Sequence, residues 1–251
     1  ISSKSILDFL KGIENKGLYE TAKRCKGIMS QVFRHGIMNG ACANDPCHAI
    51  NGALTKSKPK NMPTITDPKE IGQLLRDIDN YQGTFVVRQA LKLAPHLMLR
   101  PNEIRFAKWA YIDFDLKRWK IPAEEMKMKQ THIVPLSSQV LAMLQELHNV
   151  TGNRAFLFPH ASKSSRTMSE NSLNQALHTL GYKDKIVAHG FRGMASTVLH
   201  EKGFETLVIE KQLAHQDINT IRASYNHADY FEKRLEMMQY WSDYLGELKE
   251  I

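Results

Sequence analysis

Four short segments hold side chains whose types and spacing suit chemistry on a phosphate. In RPNEIRFAKW, Pro101 fits the first turn of a helix and leaves Arg100 at its N-terminus. Unpaired backbone N–H groups and the helix dipole already favour an anion there. A guanidinium at that place can grip a phosphate bidentately, and Glu103, three residues on, can brace it. Lys127 lies in EEMKMKQT, where a hairpin can present an ammonium to a neighbouring cleft. Lys129 is its rival: on a strand the two would face the same side, so spacing does not separate them. In AHGFRGMAS, His189 and Arg192 are three apart on a predicted helix and project from one face. That pairing suits phosphoryl transfer, the guanidinium neutralising oxygens while the imidazole donates or accepts a hydrogen bond. His215 and Tyr225 stand in LAHQDINTIRASYNH. A straight helix would hold two residues ten apart at ~15 Å, so a shared site needs a turn. Asp217 can supply it by ending one helix and capping a short second one, INTIRAS.

Taken singly, each of these has a plainer reading. Arg100 and Glu103 make a surface ion pair, Lys127 is a solvent-facing lysine, and H-x-x-R arises by chance. His215 is a polar helix end, and Tyr225 is one of eight amphipathic tyrosines. The elements that must carry them are nonetheless legible. In residues 19–40, Ala22, Cys25, Ile28/Met29, Val32/Phe33 and Ile37 recur at three-to-four spacing, which predicts an amphipathic helix stopped by Gly40. A shorter helix precedes it around Ile6–Ile13. TKSKPKNMPTITDPKE has no apolar period and contains three prolines, so it reads as a linker that ends where Asp67 and Pro68 cap a new helix. The boundary falls near Met62, giving a helical domain over 1–62 and a larger domain over 63–251. In the second, the patterning predicts helices at 68–80, 84–98, 101–107, 137–149, 169–180, 190–201, 205–214 and 229–248. WAYIDFD, RWKIP and THIVPL read as three strands of a small antiparallel sheet. The fold class expected is therefore mainly α with a small antiparallel β-sheet.

The composition narrows the partners. Among 251 residues, 42% are apolar and 24% charged, the usual make-up of a globular chain, and no apolar run approaches the ~18 residues of a membrane span. Net charge is +8, which points to a polyanion. The excess is uneven: residues 1–63 hold ten Lys/Arg against four Asp/Glu. Lys23, Arg24, Lys26 and Arg34 share a helical segment, and Lys56, Lys58 and Lys60 alternate along the linker, together a surface able to track phosphates. A solvated helix face and a basic linker are the other reading of the same charges. Cys25, Cys42 and Cys47 are few and lack metal-ligand spacing, so they read as small buried apolar residues in a reducing cytosol. Neither a Gly-rich phosphate loop nor HExxH occurs, and neither cofactor nor metal is expected. The chain opens on Ile1 with no export leader, as a piece of a longer cytoplasmic protein would.

In order, Arg100, Lys127, His189-x-x-Arg192, His215 and Tyr225 resemble the active-site pattern of the tyrosine recombinase (phage integrase) family: Arg, Lys, His-x-x-Arg, His or Trp, Tyr. LRPNEIRFAKW, EMKMKQTHIVPL, AHGFRGMAST and LAHQDINTIRASYNHADY, closed by EMMQYWSDYL, are similar to integrases of temperate phages and bacterial genomic islands, over residues 19 to 248. The resemblance implies a recombinase catalytic fold behind a short, truncated core-binding domain, cleaving and rejoining DNA through a 3′-phosphotyrosine on Tyr225. It implies His189 as proton acceptor, Arg100, Arg192 and His215 on the phosphate oxygens, Lys127 as acid for the leaving oxygen, and Glu103 in support. Double-stranded attachment-site DNA, a dimer or tetramer of the chain on that DNA, and an accessory DNA-bending protein are the implied partners, in the bacterial cytoplasm at the nucleoid. A type IB topoisomerase uses nearly the same residues, and a non-catalytic DNA-binding regulator would leave them unexplained. The final segment places Phe231, Leu235, Met238, Trp241 and Leu245 on one stripe, which either covers the protein's own core or docks on a neighbouring copy.

Overall fold

The computed structural model describes residues 1–56, 62–163, 165–215 and 228–251. The chain divides into two compact units, Ile1–Asn61 and Met62–Ile251. In the first, helices α1 (Ser3–Glu14) and α2 (Tyr19–Met38) pack on each other. Ser2 caps α1 by accepting from the Ser5 amide. Ile6 and Leu10 meet Cys47 and Ile50 in a small core, with Cys25, Met29 and Phe33 against it. The period of α2 is thus real, but its packed stripe is narrower than the sequence suggests. Ile28 and Val32 are 61% and 64% exposed. Two helices offer α2 one contact line, which Ala22, Cys25, Met29 and Phe33 already fill. Only Cys47 of the three cysteines is buried; Cys25 and Cys42 are half-buried.

The second unit is built of α3 (Pro68–Asp79), α4 (Phe85–Leu97), α5 (Pro101–Arg105), α6 (Ser138–Thr151), α7 (Ser172–Thr179), α8 (Gly190–Glu201), α9 (Thr206–Gln212) and α10 (Phe231–Glu250). Strands β1 (Ile112–Asp113), β2 (Arg118–Ile121) and β3 (His132–Pro135) form one antiparallel sheet in the order β1-β2-β3. The expected class, mainly helical with a small antiparallel sheet, is what the chain adopts. Asp67 caps α3 through the amides of Lys69 and Glu70, with Pro68 in the first turn. WAYIDFD is strand only at Ile112–Asp113, because Trp109–Tyr111 winds into a 3₁₀ turn held by the Tyr111 amide on the Lys108 carbonyl. The register pairs Trp119 with Val134 and Ile121 with His132. Trp119, Ile121, His132 and Val134 are all buried while Lys120 between them is exposed, so period-two alternation sets the core face. No described helix is long and apolar enough to cross a membrane.

Helix α10 lies on the unit's own core: Met237, Met238, Trp241, Leu245 and Leu248 are buried against it. It crosses α3 at Gly72, where a Cβ would fall 2.1 Å from the Leu248 carbonyl oxygen, so only glycine allows the approach.

Two histidines in this core set its acid tolerance. Burial, helped by the Lys249 cation, pulls His96 down to about 4, and its Nδ1 lies 2.9 Å from Ser242 Oγ. Burial, helped by Arg234, pulls His132 down to about 3. Both folded values lie below the ordinary ~6.5, so the unfolded chain binds protons that the native chain refuses. Stability is complete above pH ~6.5 and falls as pH drops from there, by roughly 2 kcal/mol per histidine at pH 5. Urea unfolding at pH 8 and pH 5 should show this loss; coincident midpoints would contradict it.

Candidate active site

The site forms where α9 ends. The last turn of a helix leaves carbonyl groups without amide partners, and here three consecutive ones receive side chains from three other elements. His132 Nε2, from β3, donates to the Gln212 carbonyl at 3.1 Å. Arg192 Nη2, from α8, donates to the Leu213 carbonyl at 2.7 Å. Arg100 Nη2, from the start of α5, donates to the Ala214 carbonyl at 3.3 Å. Adjacent carbonyls therefore fix the two guanidinium groups side by side, and the negative end of the helix dipole favours cations at that place.

Each arginine is further constrained. Pro101 opens α5 with Arg100 as its N-cap. Glu103 accepts the Arg100 amide at 2.8 Å and Nη1 at 2.7 Å, so one carboxylate holds both backbone and guanidinium. Arg192 is 4% exposed. Its Nη1 donates to the Met98 carbonyl, where α4 ends in a left-handed residue. Its Nη2 also lies 3.1 Å from His215 Nε2. Burial and the neighbouring Arg100 pull Arg192 down to about 10, which leaves it charged at neutral pH.

His189 caps α8 one turn before Arg192. The preceding turn is pinned by Asn174, which accepts the Ala188 amide at 2.8 Å, and by Thr64, which donates to the Gly190 carbonyl at 2.8 Å. Burial lowers the His189 pKa, and the cations Arg192 and Arg100 and the ring of His215 lower it further. Its imidazole is therefore neutral at pH 7 and able to take a proton.

Arg100, Glu103, Lys127 and His189 line one cleft of about 770 Å³, together with Tyr111, Asn171 and Asn174. Lys127 is exposed at its rim, in the β2–β3 connection. Lys129 takes a left-handed backbone, and its Nζ donates to the Glu124 carbonyl at 3.2 Å. Glu125 in that connection accepts from Lys108 and Tyr111, both at 2.6 Å.

The structure thus brings together Arg100, Glu103, His189, Arg192 and His215, with Lys127 on the same cleft. Tyr225, Asp217 and the short helix expected at INTIRAS lie outside the described residues. Of the basic surface expected to track phosphates, Lys23, Arg24, Arg34 and Lys56 are exposed. Lys26 is half-buried and donates to Asn51 at 2.5 Å, and Lys58 and Lys60 lie outside the described residues. His132 and Glu210 escaped the sequence reading. The alternation HIVP, which puts His132 on the face of Val134, was the signal available for the first.

Residues 64–232 match the Phage integrase family, and residues 1–53 match the Phage integrase central domain. The chain belongs to the phage integrase family. The integrase of Enterobacteria phage P4 is 33% identical over 261 residues, covering 98% of this chain and 59% of that protein. Prophage integrase IntA of Escherichia coli (strain K12) is 35% identical over 243 residues, 97% of this chain and 59% of its own length. The chain therefore spans about three fifths of these family members. Among solved structures, a dimer of lambda integrase (75–356) bound to a COC′ core site superposes with a TM-score of 0.67 at 19% identity, covering 91% of this chain and 80% of that one. The Tn1549 transposon integrase in complex with circular intermediate DNA gives 0.62 at 16% identity, covering 94% and 85%. At such identities the likeness is one of fold.

Proposed function

We propose that this chain cuts and rejoins DNA at specific sites, as the integrase of a bacterial mobile element. The observation that carries the proposal is the pair of guanidinium groups held on adjacent carbonyls beside a neutral imidazole. Such a site offers fixed donors to a phosphodiester, and fixed donors need no reorganisation as charge grows in a pentavalent transition state. Arg100, Arg192 and His215 take the non-bridging oxygens. Tyr225 attacks the phosphorus, its proton passes to His189, the bond to the 5′-oxygen breaks, and Lys127 protonates that oxygen. The products are a 3′-phosphotyrosine and a free 5′-hydroxyl. Only about one phenol in a thousand is ionised at pH 7, so a proton acceptor is required. The phosphotyrosine keeps the energy of the broken bond, and a 5′-hydroxyl from another strand reseals it by the reverse steps.

Double-stranded attachment-site DNA and further copies of the chain upon it belong to this proposal, supported by the lambda integrase tetramer bound to a Holliday junction that the chain resembles. Lys23, Arg24, Lys26, Arg34, Lys56, Lys58 and Lys60 would contact the duplex backbone, an accessory DNA-bending protein would shape the site, and the assembly would act at the bacterial nucleoid. The test uses nicked duplexes with randomised sequence around the nick, which trap a covalent adduct because the short 5′-fragment diffuses away. A detergent-stable adduct whose nuclease-trimmed remnant maps to the Tyr225 peptide is the expected result. No adduct from any member of the pool, or one mapped to Tyr230, would overturn the proposal.

A further inference from the structure

The end of α9 does more than supply carbonyls. Glu210, three residues before its last turn closes, is tied to His215 twice. The His215 amide donates to the Glu210 carbonyl at 3.1 Å, and the Ala214 amide to the Lys211 carbonyl at 3.1 Å. Ala214 takes the left-handed conformation at φ 50°. These are the paired bonds of a Schellman turn. The Glu210 side chain then folds over the same turn, and its Oε2 stands 2.6 Å from His215 Nδ1. On the far side of the ring, Nε2 lies 3.1 Å from Arg192 Nη2.

A guanidinium only donates and a carboxylate only accepts. The two contacts together therefore define the imidazole: Nδ1 carries the hydrogen and gives it to Glu210, while Nε2 faces Arg192. We propose that Glu210 is a positioning residue for the phosphate site, fixing the tautomer and rotation of His215 so that Nε2 is always the nitrogen presented beside Arg192. The inference rests on the functional reading above, in which His215 and Arg192 share a phosphate. A proton taken up by the ring then enters at Nε2, and points at the bound oxygen. Without Glu210 the ring can turn about its Cβ–Cγ bond or hold its hydrogen on Nε2 in the free protein. A turned ring no longer presents Nε2 to the phosphate, and a ring without Glu210 has no carboxylate on Nδ1 to balance its charge once Nε2 holds a hydrogen for the oxygen. The arrangement parallels the general rule that a ring nitrogen's role is set by the hydrogen bond its partner nitrogen makes.

The test has two independent readouts on the full chain. The first needs no DNA: nitrogen-15 spectra of the histidines at pH 8, with His215 assigned through His215→Asn. Wild type and Glu210→Gln, whose amide oxygen still accepts, should show His215 protonated on Nδ1. Glu210→Ala should shift it toward the Nε2–H form. The second is single-turnover adduct formation on a nicked duplex selected from the randomised pool. Glu210→Ala should slow the step about tenfold at saturating duplex, the size of one hydrogen bond to a charged group, with the half-saturating concentration within about twofold. Glu210→Gln should stay within about threefold of wild type. In a His215→Ala background, Glu210→Ala should add nothing. An unaltered tautomer in Glu210→Ala, a rate within twofold of wild type, or an equal further loss on top of His215→Ala would each overturn the inference. If wild type forms no adduct, the functional reading fails instead, and the spectra still decide whether Glu210 sets the ring.

Discussion

Arg192→Ala should lower the rate of covalent adduct formation by about 10³-fold, the scale on which loss of one fixed oxyanion donor is felt. Arg192→Lys should recover little of it. The geometry explains both. Arg192 spans the Met98 carbonyl, the Leu213 carbonyl and His215 Nε2 with one planar group. A lysine ammonium is a single point on a flexible stem and cannot bridge the ends of two helices while facing a phosphate. Alanine also strands two buried carbonyls, at a cost to stability of roughly 1–3 kcal/mol each. The rate must therefore be read on protein shown by circular dichroism to be folded, at a duplex concentration that saturates it. Folded Arg192→Ala protein that forms adduct within tenfold of the wild-type rate would show that the guanidinium is a strut between helix ends and no more.

That double duty marks the limit of what the sequence discloses. Elements were legible wherever one physical rule acts over a short stretch. Asp67 and Pro68 announce the start of α3, and Pro101 places Arg100 at the head of α5. The alternation around Trp119 and Val134 announces a sheet with one buried face. The candidate site was legible as residue types in an order, through the likeness of that order to the family pattern, since each segment alone had a plainer reading. What brings them together was not. Three carbonyls at the end of α9 are backbone groups and leave no mark in the sequence, and their partners arrive from β3, α8 and α5. Strand periodicity puts Lys127 and Lys129 on the same side and so could not separate them; in the structure their segment is not a strand, and Lys129 takes a left-handed backbone. Ile28 and Val32 misled for a related reason, since periodicity reports that a helix has an apolar face but not how many neighbours share it. Glu210 was invisible because a glutamate on a helix end is ordinarily a solvated charge.

Removing Phe231–Ile251 should leave the second unit without cooperative unfolding, and the single substitution Trp241→Ala should cost it about 3–5 kcal/mol. Both follow from what α10 covers. Trp241 is fully buried, and its indole N–H donates to the Pro95 carbonyl at 2.8 Å, a group left open where α4 ends. Ser242, the next residue, links His96 at 2.9 Å to Ser137 at 2.8 Å, so α4 and the start of α6 are joined through α10. Arg234 reaches the Ile133 carbonyl on β3 and meets Asp229 at 3.0 Å, tying the helix start to the strand that carries His132. Leu248 closes against Gly72 on α3. A helix bound to four elements in this way is part of the core: Met238, Trp241 and Leu245 of its apolar stripe are buried in its own unit, while Phe231 and Leu235 are half-buried. Urea unfolding followed by tryptophan fluorescence and by far-ultraviolet circular dichroism checks the substitution, and limited proteolysis checks the truncation. A truncated chain that kept a wild-type unfolding transition but failed only to associate on DNA would assign the helix to a neighbouring copy, against the packing described. Loss of the transition itself would show that the helix is needed first to hold β3, α4 and α9 at the spacing that sets two arginines on adjacent carbonyls.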